Sequence, residues 1–144
     1  MFAGKGGAAT FASVGSGGVR RPRAPAAICG PDDDVRLLLR GILLLYRHPV
    51  TREAKSPSEL GRLPPESRVL IYDAGAAASG WSEVLAGVTR ENPALPVLVL
   101  LPSGGEGLAT EAERAGAQGT LVKPFATHAL IDAIDTLLTV PGSA

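Results

Sequence analysis

Short apolar runs alternate with helical apolar stripes along most of this chain. The runs AAIC, RVLIYD, PVLVLL and GTLV have the length and the branched or aromatic content of buried strands. PVTRE has a weaker pattern and predicts one more strand. Between these runs, apolar residues recur at helical spacing in WSEVLAGVTREN, GEGLATEAERAGA and ATHALIDAIDTLL. Ser56-Pro57-Ser58-Glu59 is a capping box that opens a shorter helix.

The first helical segment follows AAIC and carries apolar residues that we expect to face the core. They are Val35, Leu38, Leu39, Ile42 and Leu45. With it, the chain repeats strand and helix five times through short connections. This order predicts an α/β fold, a doubly wound five-stranded parallel sheet with helices on both faces. Functional side chains in such a sheet lie just after the strands, near the switch in strand order.

The ends of the chain have a different composition. Residues 1–24 are rich in Gly, Ala and Ser without a usable period, which predicts a flexible tail. We therefore expect a folded domain over residues 25–140 and a short C-terminal tail over 141–144. GKGGAAT in the first tail has the glycines of a phosphate-binding loop, but it lacks the Lys-Ser or Lys-Thr pair and the preceding strand of that motif.

Composition and charge exclude several classes of function. At 45% hydrophobic residues the chain has enough apolar material for a core. Four of the 14 basic residues and none of the 14 acidic residues stand before Asp32, so the predicted domain is net negative and we expect no nucleic-acid partner. No apolar run reaches the ~20 residues of a membrane span. The single cysteine, Cys29, is typical of a reducing compartment, and we expect a cytoplasmic protein.

The predicted strand ends carry polar side chains suited to phosphate chemistry. Asp32 and Asp33 follow the first strand, Asp73 ends the third, Ser103 follows the fourth and Lys123 follows the fifth. Mg²⁺ takes one or two carboxylates and completes its coordination with water and phosphate oxygens. Lysine supplies a point charge for a phosphoryl oxygen. These residue types therefore predict a possible metal and phosphoryl site.

The aspartates in ICGPDDDVRLLL also have a purely structural interpretation. An aspartate after Gly-Pro is a good N-cap, and acids in the first turn favour the positive end of the helix dipole. A cap contributes about 1 kcal/mol, which explains acids here without any metal. We take the helix start as the first interpretation of Asp32 and Asp33, and a cation site as the second.

Two segments resemble the receiver domain of two-component response regulators. GAQGTLVKPF is similar to the fifth strand and following turn of that family, and RVLIYD is similar to its third strand. The resemblance implies a flavodoxin-like, receiver-type fold, with Asp73 as phosphoacceptor and Lys123 as a phosphoryl contact. It also implies Mg²⁺ held near Asp73, a cis Lys123–Pro124 bond, and a histidine kinase or another signalling protein as partner.

The chain departs from the family pattern at three places. Gly30 and Pro31 stand where the family has its acidic pair, so Asp32 and Asp33 lie two residues late. Leu101 stands where a Ser or Thr bonds the phosphoryl group, a role that Ser103 would have to take. Thr120 replaces the aromatic residue of the fifth strand.

Two function hypotheses follow from this resemblance. The first is a degenerate receiver in a phosphorelay that is not an enzyme and acts through protein contacts. The usual output face of the fourth helix, fifth strand and fifth helix would present Ala109, Ala112, Thr120 and His128. The second is a conventional Mg²⁺-dependent receiver phosphorylated on Asp73 by a histidine kinase, with Asp32 or Asp33 as further ligands. A flavin- or nucleotide-binding enzyme is a remote third, because GPDDD repels phosphate.

Overall fold

The computed structural model describes residues 23–139, so most of the predicted N-terminal tail, including GKGGAAT, and residues 141–144 lie outside the described part. The strands are β1 (Ala26–Cys29), β2 (Val50–Ala54), β3 (Val69–Asp73), β4 (Val97–Leu101) and β5 (Gly119–Val122). The helices are α1 (Asp33–Leu45), α2 (Pro57–Leu60), α3 (Trp81–Glu91), α4 (Ala109–Arg114) and α5 (Thr127–Thr139). A 3₁₀ turn, Glu106–Leu108, precedes α4.

The five strands form one parallel sheet in the order β2-β1-β3-β4-β5. This confirms the predicted α/β class and its doubly wound, flavodoxin-like topology. Strand order reverses beside β1, so β1 and β3 flank the position where such sheets carry their ligand chemistry. None of the described helices is both long and apolar enough to cross a membrane.

Alternate strand residues point to opposite faces of the sheet and build two separate cores. One face packs on α1 and α5 through β-strand residues such as Ile28, Ile71 and Leu98. The other packs on α2, α3 and α4 through residues such as Leu70 and Val99. Because β3 and β4 are buried on both faces, every residue of these strands is apolar except Asp73 at the end of β3.

Helix α5 buries the face that its sequence pattern predicts, but α1 does not. The buried residues of α5 are Leu130, Ile131, Ile134 and Leu137. In α1 the core side chains are Arg36, Leu39, Ile42 and Leu43, whereas Leu38 and Leu45 are 55% and 73% exposed. The expectation that Leu38 and Leu45 face the core is therefore wrong, because leucines occupy every side of this helix and the buried Arg36 fixes its rotation.

The predicted capping box of α2 forms only in part. Ser56 is the N-cap residue, but its side chain makes no capping hydrogen bond and its Oγ lies 2.9 Å from the Oγ of Ser58. Glu59 reaches back as predicted, yet it accepts from the backbone N–H of Lys55 (2.9 Å) instead of that of Ser56. One orphan donor before the helix is thus satisfied by the glutamate alone.

Cys29 provides a test of the buried sheet, because it is 1% exposed and is the only cysteine in the chain. Burial raises the pKa of its thiol from 9.0 to about 12. In the folded protein, a disulfide reagent at neutral pH should react about 1000-fold more slowly than in denaturant, since only the thiolate attacks and its fraction falls about tenfold for each unit by which the pKa is raised. Time courses of thiol modification in buffer and in denaturant measure this ratio.

The same pKa shift has a defined pH dependence. Because the folded-state pKa exceeds the unfolded value, the stability that Cys29 contributes is fully present below pH 9.0 and is lost as pH rises toward about 12. Cys29→Ala should therefore lose less stability over that range than the parent chain. In the thiol-modification experiment described above, equal rates for Cys29 in buffer and in denaturant would contradict the burial of β1.

Candidate functional site

Three strands deliver the candidate site at the carboxyl edge of the sheet. Asp73 is the last residue of β3, and Lys123 directly follows β5. Cys29 of β1 pairs with Tyr72 of β3, so the next residue, Gly30, lies beside Asp73. The site thus occupies the predicted edge, next to the switch in strand order.

Asp73 and Lys123 form an ion pair at the centre of this edge. Lys123 Nζ donates to Asp73 Oδ1 at 2.7 Å, and the backbone N–H of Gly75 donates to the same oxygen at 2.8 Å. The Asp73 side chain is 0% exposed, while that of Lys123 is 23% exposed. Asp73 Oδ2 is buried and has no hydrogen-bond partner among the described residues. The Lys123–Pro124 bond is cis, as the resemblance implied.

Asp32 and Asp33 are engaged at the start of α1. Asp32 is the N-cap residue, and its Oδ1 accepts from the backbone N–H groups of Asp34 (2.8 Å) and Val35 (3.2 Å). Asp33 pairs with the guanidinium of Arg36 one turn later. The hydrogen bond and charge of Arg36 lower the pKa of Asp33 below its ordinary value. The helix-start interpretation describes the contacts of Asp32, whereas Asp33 forms an ion pair that this interpretation did not include.

Arg36 is the residue of this region that the sequence pattern did not single out as functional. Its guanidinium is almost fully buried; Nη1 donates to the carbonyl oxygen of Gly30 at 2.6 Å, and Nε donates to Glu53 of β2 at 3.3 Å. A planar guanidinium suits several fixed oxygens at once. An apolar stripe interrupted by an arginine on its inner side is the only signal the sequence offered.

Gly30 leaves no room for a side chain beside Asp73. A Cβ built on Gly30 would lie 2.7 Å from Asp73 Cβ and 3.3 Å from Asp73 Oδ2. Pro31 closes the next position, since its Cγ would lie 3.0 Å from a Cβ on Gly75, whose φ is +64°. Gly30 and the ring of Pro31 are therefore in close contact with the β3 turn.

The end of β4 contributes no polar group to Asp73 in the described structure. Leu101 is fully buried, and Ser103 is exposed in a turn closed by a 2.8 Å bond from the N–H of Gly105 to the carbonyl of Pro102. No hydrogen bond joins Ser103 to Asp73 or Lys123 among residues 23–139. The structure thus does not bring Ser103 together with the predicted phosphoryl contacts.

The four residues expected on an output surface differ in how far they are exposed to solvent. Ala109 and Thr120 are half-buried and His128 is exposed. Ala112 is 0% exposed and belongs to the core under α4. The expectation for Ala112 is corrected: the rotation of α4 turns this small side chain against the sheet.

A magnesium ion fits poorly in this arrangement. Within the described part of the chain, no group of three or more His, Cys, Asp and Glu side chains is placed to hold a metal. Asp73 Oδ2 is buried and has no hydrogen-bond partner there. Mg²⁺ prefers one or two carboxylates together with several waters in an octahedron, and Gly30 and Pro31 supply no carboxylate beside Asp73.

Comparison with known proteins defines the class of this domain. No family model matches the chain. The response regulator protein FleR of Pseudomonas aeruginosa is 32% identical over 115 residues, covering 78% of this chain and 24% of FleR. The chain therefore spans about a quarter of the length of this curated relative.

Solved structures give the same result. NtrX from Brucella abortus matches with a TM-score of 0.68 and 25% identity, covering 80% of this chain and 27% of that one. A response regulator receiver domain protein from Clostridium thermocellum matches with a TM-score of 0.69 and 20% identity, covering 81% and 94%. The strand order and the solved structures define a flavodoxin-like α/β domain. More particularly, the described part of this chain is a receiver domain of two-component response regulators.

The contact between Gly30 and Asp73 predicts a steric penalty. Gly30→Ala should lower the free energy of unfolding by about 1–3 kcal/mol, because the new Cβ forces β1 and the β3 turn apart. Urea unfolding measures the change. Gly41→Ala is the matched control: a Cβ there meets nothing within 4 Å, and the helix should gain about 0.5–1 kcal/mol. An unchanged free energy of unfolding in Gly30→Ala would contradict the close packing of Gly30 against Asp73.

The Asp33–Arg36 pair predicts a dependence on pH. The pKa of Asp33 is lowered from 3.8 in the folded state, so its stabilising effect is present above pH 3.8 and is lost as pH falls through the lowered pKa. Asp33→Asn should be less stable than the parent chain at neutral pH, and the difference should shrink in acid. Asp34→Asn is the control, since it removes a first-turn charge that forms no described ion pair. Parallel pH curves for Asp33→Asn and the parent would contradict the pair.

Proposed function

We propose that this receiver domain is degenerate and signals by binding a protein partner, without Mg²⁺-dependent phosphoryl transfer to Asp73. The observation that carries the proposal is the contact of Gly30 with Asp73, because it leaves no space for an acidic side chain at that position. A receiver needs acids beside its acceptor to hold Mg²⁺ against the phosphoryl oxygens. The first acids that follow Gly30 in the sequence are Asp32 and Asp33. Asp32 accepts hydrogen bonds from helix amides, and Asp33 pairs with Arg36.

The contacts of Asp73 support a structural role for its carboxylate. Lys123 and the Gly75 N–H both bond to Oδ1, which ties the end of β3 to the turn after β5. Removing one partner of a buried pair typically costs about 3–5 kcal/mol, because the other charge stays buried and uncompensated. A domain that no longer transfers phosphoryl groups would therefore still need the Asp73–Lys123 pair for stability.

The proposed partner is a histidine kinase or another signalling protein in the cytoplasm. Ala109, Thr120 and His128 contribute accessible atoms on α4, β5 and α5, and we propose that this surface takes part in the contact. Thr120 stands at the position of the family's aromatic switch residue. Because threonine is smaller than the aromatic residue whose movement would switch the surface, we propose that this surface keeps one conformation.

One observation favours a second candidate, a conventional phosphoacceptor. Asp73 Oδ2 has no described hydrogen-bond partner and would be the attacking atom. In that reaction Oδ2 forms a bond to phosphorus while the phosphorus–nitrogen bond of a phosphohistidine breaks, and the nitrogen keeps the electron pair. The reaction requires that the buried oxygen become accessible, so this candidate needs the β1 and β3 turns to open.

The test is an amide NMR spectrum of the chain with millimolar Mg²⁺ and then with beryllofluoride, a mimic of the aspartyl phosphate. We expect no clustered shifts at Asp73, Lys123 or Gly30, because the pocket has neither the ligands nor the space for the mimic. A receiver domain with acids at the positions of Gly30 and Pro31 serves as the positive control.

Asp73→Asn separates the two candidates. Shifts that cluster around Asp73 and vanish in Asp73→Asn would establish an accessible acceptor and overturn the degenerate assignment. Shifts that persist unchanged in Asp73→Asn would come from ion binding elsewhere and would leave the proposal standing.

A further inference from the structure

Helix α1 carries a second apolar face that is directed away from the core. Leu37, Leu38, Leu44 and Leu45 are 57%, 55%, 55% and 73% exposed. They account for four of the five large exposed apolar residues in the described part of the chain. Isolated surface leucines need no explanation, but a contiguous apolar patch usually marks an interaction site. We call these four residues together with Gly41 the leucine face.

The leucine face is a regular helical stripe. Leu37 and Leu44 are seven residues apart, as are Leu38 and Leu45, so each pair lies on one line along the helix. All four lie within about 60° of Gly41 around the helix axis, on the side opposite the buried Leu39 and Leu43. A second helix laid along α1 would contact both lines at once.

Gly41 stands at the middle of this face and allows close approach. A Cβ on Gly41 would meet nothing within 4 Å, so the glycine is not required by packing inside the domain. Glycine in the middle of a helix is destabilising relative to alanine by about 0.5–1 kcal/mol. A small residue at a helix crossing point lets two backbones come together and surrounds the contact with the larger side chains on either side.

Charge at the two ends of the leucine face indicates which helix would cover it. Asp34 lies at the N-terminal end and Arg47 just past the C-terminal end; both are exposed, and neither side chain forms an ion pair within residues 23–139. They are separated by 13 positions, roughly 20 Å along a helix, and Gly41 falls near the midpoint. A two-fold axis at Gly41 would bring Asp34 of each copy to Arg47 of the other.

We infer that α1 is a self-association surface, on which a second copy of this chain docks its own α1 in antiparallel orientation across Gly41. The antiparallel arrangement pairs two aspartates with two arginines, whereas a parallel one would place like charges together. A two-fold interface uses the same patch on both copies, which the self-complementary pattern of this face satisfies. A single helix pair buries a small interface, so the expected dimer is weak, with micromolar affinity.

The experiment is sedimentation equilibrium of the 144-residue chain from low micromolar to near-millimolar concentration. We expect a reversible monomer–dimer equilibrium. The double variant Leu38→Glu/Leu45→Glu should weaken it by at least about tenfold, since it places two charges per copy in the apolar contact. Val84→Glu is the matched control, because Val84 is 47% exposed on α3 and should leave dimerisation unchanged.

A charge exchange tests the orientation independently of the leucines. Asp34→Arg alone and Arg47→Asp alone should each weaken the dimer by about threefold to tenfold, since each brings like charges together. The chain that carries both changes should recover the parent affinity. Asp is tolerated at position 47, where φ is +65°. Circular dichroism spectra identical to that of the parent show that each variant is folded.

The outcomes separate the possible occupants of the leucine face. Weakening by the double variant together with recovery in the exchanged chain supports the antiparallel pair. A dimer that Leu38→Glu/Leu45→Glu leaves intact would overturn the proposal and place the contact elsewhere. A chain that stays monomeric at every concentration would also overturn it.

Discussion

The buried carboxylate of Asp73 is the constraint on which the carboxyl edge of this sheet depends. A carboxylate without access to water must be neutralised or hydrogen-bonded, and here Lys123 and the Gly75 N–H act on the same oxygen. β4 lies between β3 and β5 and ends in fully buried leucines. Its last residues therefore place no polar side chain between Lys123 and Asp73. The ion pair therefore fixes the turn after β5 against the end of β3, across an intervening strand.

Arg36 extends the same electrostatic arrangement to the other side of Asp73. Its guanidinium bonds to the carbonyl of Gly30 and to two carboxylates, those of Asp33 and Glu53. Gly30 in turn lies against Asp73, so α1, β1, β2 and β3 meet through one buried cation. Near these strand ends Lys123 pairs with Asp73, and Arg36 pairs with Asp33 and Glu53.

The sequence predicted those features that depend on short-range patterns. Alternating strands and helices, the α5 face and the Asp32 cap each follow from residues within a few positions of one another. The rotation of α1 did not, because leucines at 37, 38, 39, 43, 44 and 45 permit several faces and the buried arginine decides among them. The close contact between Gly30 and Asp73 could not be predicted from the sequence either. It requires the register that places Gly30 next to Asp73, a contact between residues 43 positions apart.

The inner and outer sides of α1 connect the site to the surface. On the inner side, Arg36 bonds to the backbone of Gly30; on the outer side, the four leucines of the leucine face remain exposed. Burying the leucine face would require a rotation of the helix by about 180°, which would expose Arg36 and break its ion pair with Glu53 of β2. The contacts of Arg36 with Gly30 and Glu53 therefore also keep the leucine face on the outside. The packing of the strand ends and the exposure of an apolar helix face thus both depend on how one arginine is held.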